Sequence, residues 1–242
     1  MNHIKPYSSV SKIYSHLMRS IDYKDWAEYI FAINNEIKIE NDFTLELASG
    51  DCKLAYYLKE YFPKIILSDI SNEMLLIPEF KHDLKVCCDM TIPPFKYKFP
   101  FILSAFDSIN YLLNEVQLNK FFGAIFNLLT DEGIFTFDAS LENNSIKNER
   151  RLNRKGKFNG IKYQQKSKYD NTDKIHYNYF RIILDNGQII EEMHKQRVYK
   201  FFDYFSIIEN NGLFVENCYD SFSFDDADEN CDRVQFVVKK RN

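Results

Sequence analysis

The sequence predicts an open α/β fold, a mostly parallel sheet with helices on both faces, carrying an antiparallel β insertion near its C-terminal end. Three observations predict it. From residue 41 to 140, apolar runs of strand length alternate with segments of helical period; from about Gly160 to Lys200 the alternation becomes a two-residue period; after Lys200 helix and strand return.

In KDWAEYIFAINNEIKIE, Trp26, Ile30, Ile33 and Ile37 recur at helical spacing, and residues 1–40 read as a helical cap. FTLELASG is a strand stopping at Gly50, and CKLAYYLKEYF is a helix through Leu54, Tyr57, Leu58 and Tyr61. Pro63 ends that helix. KIILSDI is a second buried strand closing at Asp69, with Ser71 placed to cap a short helix containing Met74 and Leu75. LKVCCDM and FPFILSAFD are further strands, and Leu118, Phe121, Phe122, Ile125, Leu128 and Leu129 form one helix face. A turn at Thr130-Asp131-Glu132-Gly133 leads into the strand IFTFDAS.

Beyond Ser140 a basic connection, NERRLNRKGK, reads as a solvated loop. It opens an antiparallel insertion over 141–199, in which Asp185-Asn186-Gly187 joins HYNYFRIIL to QIIEEMHKQRVY as a hairpin. FFDYFSIIENNG is a helix ended by Gly212, and LFVENCYDSF and DRVQFVVKK are the last strands. Residues 41–140 and 200–242 thus make one α/β domain, and 141–199 a lid or pocket wall over it.

Composition narrows the function. The chain has 242 residues, 45% of them hydrophobic, with 7 Gly and 6 Pro, which excludes disordered and linker-rich classes. About 17 Gly would be expected at average usage, so each one present marks a backbone requirement. A net charge of -4 argues against general affinity for nucleic acid or anionic membrane. No apolar run is long enough to span a bilayer, and the first twenty residues lack a signal-peptide pattern, so the protein reads as cytoplasmic. The five cysteines include no CxxC pair, and neither a disulfide framework nor a metal site is expected.

In an open parallel sheet, ligands bind beyond the carboxyl ends of the strands. Those ends supply Glu46 and Gly50, then Asp69, then Asp89, then the Asp107 to Tyr111 segment. Gly50 lets the backbone pass close to a ligand, and Asp69 is placed to accept both hydroxyls of a ribose. A nucleoside cofactor is implied.

On these residues the chain resembles the class I S-adenosylmethionine-dependent methyltransferases, above all small bacterial members with an antiparallel insertion before the last helix. Glu46-Leu47-Ala48-Ser49-Gly50-Asp51-Cys52 resembles the family's first motif, which contacts the methionine part of the cofactor. SDISNEML resembles the ribose-binding segment, implying contacts from Asp69, Ile70 and Met74; Cys88-Asp89-Met90 resembles the adenine segment, implying Asp89 and Met90. SAFDSINYLL resembles the fourth motif beside the sulfonium, implying Ala105, Phe106 and Tyr111, with Asn110 toward the substrate. YSHLMRSIDYKDWAEYI and HKQRVY resemble the subgroup's N-terminal helix pair and insertion, and the first implies that Tyr14 meets both cofactor and substrate.

The resemblance implies a Rossmann-like, doubly wound seven-stranded sheet, S-adenosylmethionine as cofactor and S-adenosylhomocysteine as product. Two positions depart from the family pattern: Cys52 stands where a second Gly is usual, and Ser15 where an Asp often follows the tyrosine.

Methyl transfer from a sulfonium is an in-line displacement, so alignment, desolvation and proton acceptance are the protein's work. The positive cofactor suits the Glu46 carboxylate and the ring faces of Tyr14 and Tyr111. His194 is the leading proton acceptor, with Asp107 and His176 as alternatives. Glu192, His194 and Gln196 share one strand face, which lines a substrate pocket or, alternatively, a solvent-facing edge.

No Asn-Pro-Pro-Tyr motif, Pro-Cys nucleophile or basic field is present, which favours a small-molecule N or O acceptor; a monomer and a homodimer fit equally. Two other classes stay open: a non-catalytic cofactor-binding protein, suggested by Cys52, and a nicotinamide-dependent oxidoreductase, disfavoured because GDCKLA lacks the G-x-G-x-x-G spacing.

Overall fold

The structure, a computed structural model, describes residues 5–37, 43–77 and 84–241. The predicted cap over 1–40 therefore lies partly outside the described residues. The chain begins with a 3-10 turn (Val10–Ile13), α1 (Tyr14–Leu17) and α2 (Tyr23–Ile37). Then follow β1 (Thr44–Leu47), α3 (Lys53–Leu58), β2 (Ile65–Asp69), α4 (Asn72–Leu75), β3 (Lys85–Cys87) and β4 (Phe99–Ser104). A 3-10 turn (Ser108–Tyr111) leads to α5 (Glu115–Leu128), β5 (Leu129–Ser140) and α6 (Glu142–Arg151). The insertion is β6 (Arg154–Phe158), β7 (Ile161–Asp170), β8 (Ile175–Ile183) and β9 (Ile189–Arg197), before α7 (Phe201–Asn210), β10 (Leu213–Asp220) and β11 (Arg233–Lys240).

The main sheet is seven-stranded, in the order β10-β11-β5-β4-β1-β2-β3, and the second is four-stranded, β6-β7-β8-β9. From β5 to β3 every pairing is parallel, while β11 runs antiparallel to both β5 and β10. The strand order reverses between β1 and β4, which places the switch point beside Glu46 and Ser104.

The alternation of each strand sends its side chains into two cores. On one face Phe121, Phe122 and Ile125 of α5 and Tyr204, Ile207 and Ile208 of α7 pack on Leu45, Ile102, Phe137 and Phe236. On the other, Trp26, Ala27, Ile30 and Ile33 of α2 and Leu54, Ala55 and Leu58 of α3 cover Leu67, Phe101, Leu103 and Val237. A third cluster joins Val10, Ile13 and Leu17 to Tyr163, Phe180 and Ile182, so the N-terminal segment docks on the four-stranded sheet.

Three expectations are corrected. The basic connection is not a loop: it is α6 followed by β6, so the antiparallel sheet starts at Arg154 rather than near Gly160. α6 has little apolar periodicity to reveal it. It is held by neighbours, through the Lys147–Asp232 ion pair at 2.6 Å and a hydrogen bond from Asn143 Nδ2 to the Asn230 carbonyl. Gly160, the expected start of the two-residue period, instead lies between two strands: at φ +81° it makes the turn between β6 and β7. Thr130 to Gly133 belongs to β5 itself, across a register shift between Phe99 and Phe101 of β4.

Candidate functional site

The carboxyl edge of the parallel strands concentrates unusual backbone. Ala48 (φ 56°), Cys52 (φ 62°), Phe106 (φ 59°) and Asp107 (φ 48°) are left-handed without being glycine, and Gly50 sits among them at φ 56°. Such residues cost roughly 1–2 kcal/mol each and gather where a site over-determines the chain. Cys52 thus fills the missing-glycine position by adopting the left-handed conformation, its side chain buried and its thiol pushed up to about 11 by burial. The turn tolerates the Cβ.

Asp69 locks this turn to the end of β2. One oxygen accepts the Gly50 N–H at 2.8 Å and the other the Ser71 N–H at 2.8 Å. Ser49 donates its N–H to the Ser68 carbonyl at 2.9 Å, and Ser71 accepts the Met74 N–H as the α4 cap. Met74 is buried, with its methyl 3.4 Å from where a Gly50 Cβ would stand. Burial raises the Asp69 carboxyl above its ordinary value.

Glu46 is 2% exposed and its Oε2 has no hydrogen-bond partner. Burial, then Asp51 and Asp69, push its carboxyl well above the usual carboxylate range. A buried acceptor left open beside two more carboxylates calls for a cation there. The ammonium group of S-adenosylmethionine meets that demand, and Asp69 keeps lone pairs for ribose hydroxyls. The residues fit this cofactor.

Farther along the edge, Asp89 is half-buried and accepts its own turn's Thr91 N–H at 2.8 Å; Met90 packs half-buried against the core, and Ile70 is 68% exposed. Ala105 is buried, and the Phe106 ring turns away into Trp26 (centroids 4.4 Å) and Tyr23 (5.3 Å), so this segment presents main chain to the switch point.

Tyr7, Tyr14 and Tyr111 gather over the switch point. The Tyr7 ring meets Tyr14 at 5.7 Å, Tyr111 at 5.9 Å and His194 at 4.6 Å. Their hydroxyls are raised above the ordinary tyrosine value, chiefly by burial, with Asp107 adding to each and Asp69 to Tyr7. The tyrosines therefore stay protonated.

The row on β9 does not face solvent: Glu192 and His194 are each 3% exposed. Glu192 accepts main-chain N–H groups of Tyr7, Ser9 and Val10, so it grips the N-terminal segment rather than an open pocket. Gln196 donates to Asp107 Oδ2 at 3.1 Å. Asn110 is wholly enclosed, its amide donating to the Ser140 and Arg197 carbonyls and accepting the Ser140 N–H; it ties strands together instead of meeting a substrate.

Asp107, expected as an alternative base, is held by Arg233 at 3.2 Å. Arg233 also pairs with Asp138, whose main-chain partner is the Asp107 N–H at 2.8 Å; burial raises the Asp138 carboxyl despite the arginine. His176 faces the same interior, its Nε2 2.7 Å from Ser167 Oγ and its Nδ1 without a partner, and burial lowers its pKa. Sequence reasoning missed Tyr7, Asp138 and Arg233. Each meets its partners across 31 to 185 residues of chain, a distance that no local motif encodes.

No family model matches the chain, and no curated protein does. Solved structures do. A S-adenosylmethionine-dependent methyltransferase from Clostridium acetobutylicum is 25% identical, with a TM-score of 0.80 over 98% of this chain and 100% of that one. The sugar N-methyltransferase KedS8 from Streptoalloteichus is 16% identical (TM-score 0.77; 100% and 97% covered). CalS10, an amino pentose methyltransferase from Micromonospora solved with S-adenosylmethionine, is 12% identical (TM-score 0.68; 99% and 100% covered). With the strand order, the Gly50–Asp69 turn and the open Glu46 oxygen in place, and the fold shared from end to end, the chain is a class I S-adenosylmethionine-dependent methyltransferase.

Proposed function

We propose that this protein methylates the nitrogen or oxygen of a small molecule, with nitrogen favoured, as a cytoplasmic monomer or homodimer. The observation that carries the reading is the buried Glu46 carboxyl, one oxygen unpartnered, at the switch-point end of β1. Glu46 would hold the cofactor's ammonium group, the Ala48–Gly50 turn its methionine part and Asp69 its ribose beside Ile70 and Met74, with Asp89 and Met90 around the adenine. Bound there, S-adenosylmethionine supplies a methyl group on sulfonium sulfur and leaves as S-adenosylhomocysteine.

The acceptor side is read from the inner face of the four-stranded sheet. Gln165, Ser167, His176 and Asn178 are buried there, and the sheet reaches the switch point through Gln196 and Asp107. That polar wall suits a compact substrate rich in hydrogen-bonding groups, and residues 141–199 serve as its lid. The net charge of -4 leaves no broad field for a polyanion. Sugar and amino-sugar substrates of two structural neighbours favour an amine.

Calorimetry with S-adenosylmethionine, S-adenosylhomocysteine and NAD, followed by labelled-methyl transfer into a metabolite extract, tests the reading. Binding of the first two and label in a small amine is the expected result; heat with NAD alone overturns it. Among the described residues no helix is long and apolar enough to cross a membrane.

A further inference from the structure

We infer that Tyr7 is a catalytic residue: its hydroxyl oxygen takes a proton from the acceptor nitrogen, and Tyr111, His194 and Glu192 pass that proton inward and hold it. The inference rests on the methyl-transfer reading above and supplies the base that reading lacks.

The hydrogen-bond donors fix the direction of the chain. Main-chain N–H groups can only donate, and those of Tyr7, Ser9 and Val10 all point at the Glu192 carboxylate. The carboxylate is thus an acceptor, and His194 Nε2, 2.8 Å from its Oε1, carries hydrogen toward it. That leaves Nδ1 as acceptor for the Tyr111 O–H at 2.8 Å. Tyr111 has then spent its only hydrogen, so its oxygen accepts the Tyr7 O–H, also at 2.8 Å. One direction satisfies every group. Tyr7 ends the chain with an oxygen lone pair uncommitted.

Its position suits the acceptor. The groups facing the Tyr7 hydroxyl are Tyr14, Tyr111, His194, Asp69 and Asp107, contributed by the N-terminal segment, both strand ends at the edge and β9. This is the ground between the ribose-binding carboxylate and the switch point. Burial keeps Tyr7 protonated, which suits a residue that accepts one proton while giving another.

The transfer balances. A protonated acceptor amine gives a proton to Tyr7 Oη; Tyr7 gives its own to Tyr111 Oη; Tyr111 gives its own to His194 Nδ1. The imidazolium formed is held by Glu192, and the neutral amine keeps the lone pair with which it bonds the methyl carbon as the carbon–sulfur bond breaks. Glu192 touches no reacting atom and is a positioning residue, setting the tautomer of His194 and the seat of Tyr7.

The test uses Tyr7→Phe, which keeps the ring and the main-chain bond to Glu192. Affinity for S-adenosylmethionine should be unchanged by calorimetry. Labelled-methyl transfer into extract amines should fall by about 100-fold near neutral pH, with the deficit closing as pH rises and the amine arrives already deprotonated. Nitrogen NMR of His194 in the wild-type protein should show hydrogen on Nε2 and a bare Nδ1.

Transfer by Tyr7→Phe at the wild-type rate, or a loss equal at every pH, overturns the relay while leaving methyl transfer standing. Hydrogen on Nδ1 overturns its direction and needs no variant. Wild-type protein that binds the cofactor and labels nothing in the extract overturns the methyl-transfer reading and the relay with it, whereas label on oxygen alone overturns the relay and leaves methyl transfer standing.

Discussion

The Gly50 N–H donates to Asp69 Oδ2 at 2.8 Å, so the turn after the first strand and the end of the second are joined by one carboxylate before any ligand arrives. The same carboxylate is the group assigned to the ribose. Cofactor binding and turn geometry are therefore coupled. Asp69→Asn retains the shape but removes the charge and sets an N–H against an N–H. It should weaken S-adenosylmethionine binding by about 10- to 100-fold, as expected for a charged hydrogen bond of about 1.5–3 kcal/mol. An unchanged dissociation constant by calorimetry would show that the ribose lies elsewhere.

Glu46 gives a pH signature whose sign can be worked out. Burial, with Asp51 and Asp69 close by, raises its folded-state value well above that of the unfolded chain. Between those values the folded protein holds a proton the unfolded chain has lost, so this group's contribution to stability falls as pH rises through the window. Glu46→Gln should flatten that slope in thermal unfolding of the cofactor-free protein. A bound ammonium group favours the carboxylate, so binding should release a proton and tighten with rising pH across the same window. Calorimetry in buffers of different ionisation enthalpy measures the proton count, and no release would count against the assignment.

Thiol labelling separates the cysteine of the turn from the others. Cys52 is 1% exposed, with its thiol pushed up to about 11, whereas Cys87 is exposed. Mass spectrometry after brief alkylation near neutral pH should find Cys87 modified and Cys52 untouched until the protein is unfolded. Rapid native labelling of Cys52 would mean that the turn opens readily.

Arg233 holds two carboxylates, Asp107 and Asp138, the latter with a side chain fully shielded from solvent. Arg233→Met leaves a buried acid without its cation, and the expected cost is about 3 kcal/mol, the lower end for a broken buried pair because the arginine keeps some solvent contact. Urea unfolding measures it. A variant as stable as the wild type would show that Asp138 is held in its protonated form instead.

Much of this architecture is legible in the chain. Short apolar runs ending in Glu46, Asp69 and Ser104 place the ligand edge, because strand ends follow from local periodicity. Glu192, His194 and Gln196 are visibly on one face by their spacing. Which way that face points is not visible, because it depends on docking against the segment holding Val10 and Ile13. Tyr7 and Glu192 are 185 residues apart, and nothing near either announces the other. α6 was hidden for the same reason: its stabilising partners, Asp232 and Asn230, lie almost ninety positions downstream.

Glu192 grips Tyr7, Ser9 and Val10 by their main chain, not by their side chains. This part of the docking rests on amide hydrogens that almost any side chain leaves in place, while the buried Ser9 and Val10 side chains remain constrained by their packing. Proline is the exception, since it removes the donor that the carboxylate reads. A proline at position 9 or 10 would therefore loosen the segment from Glu192 and from the four-stranded sheet together.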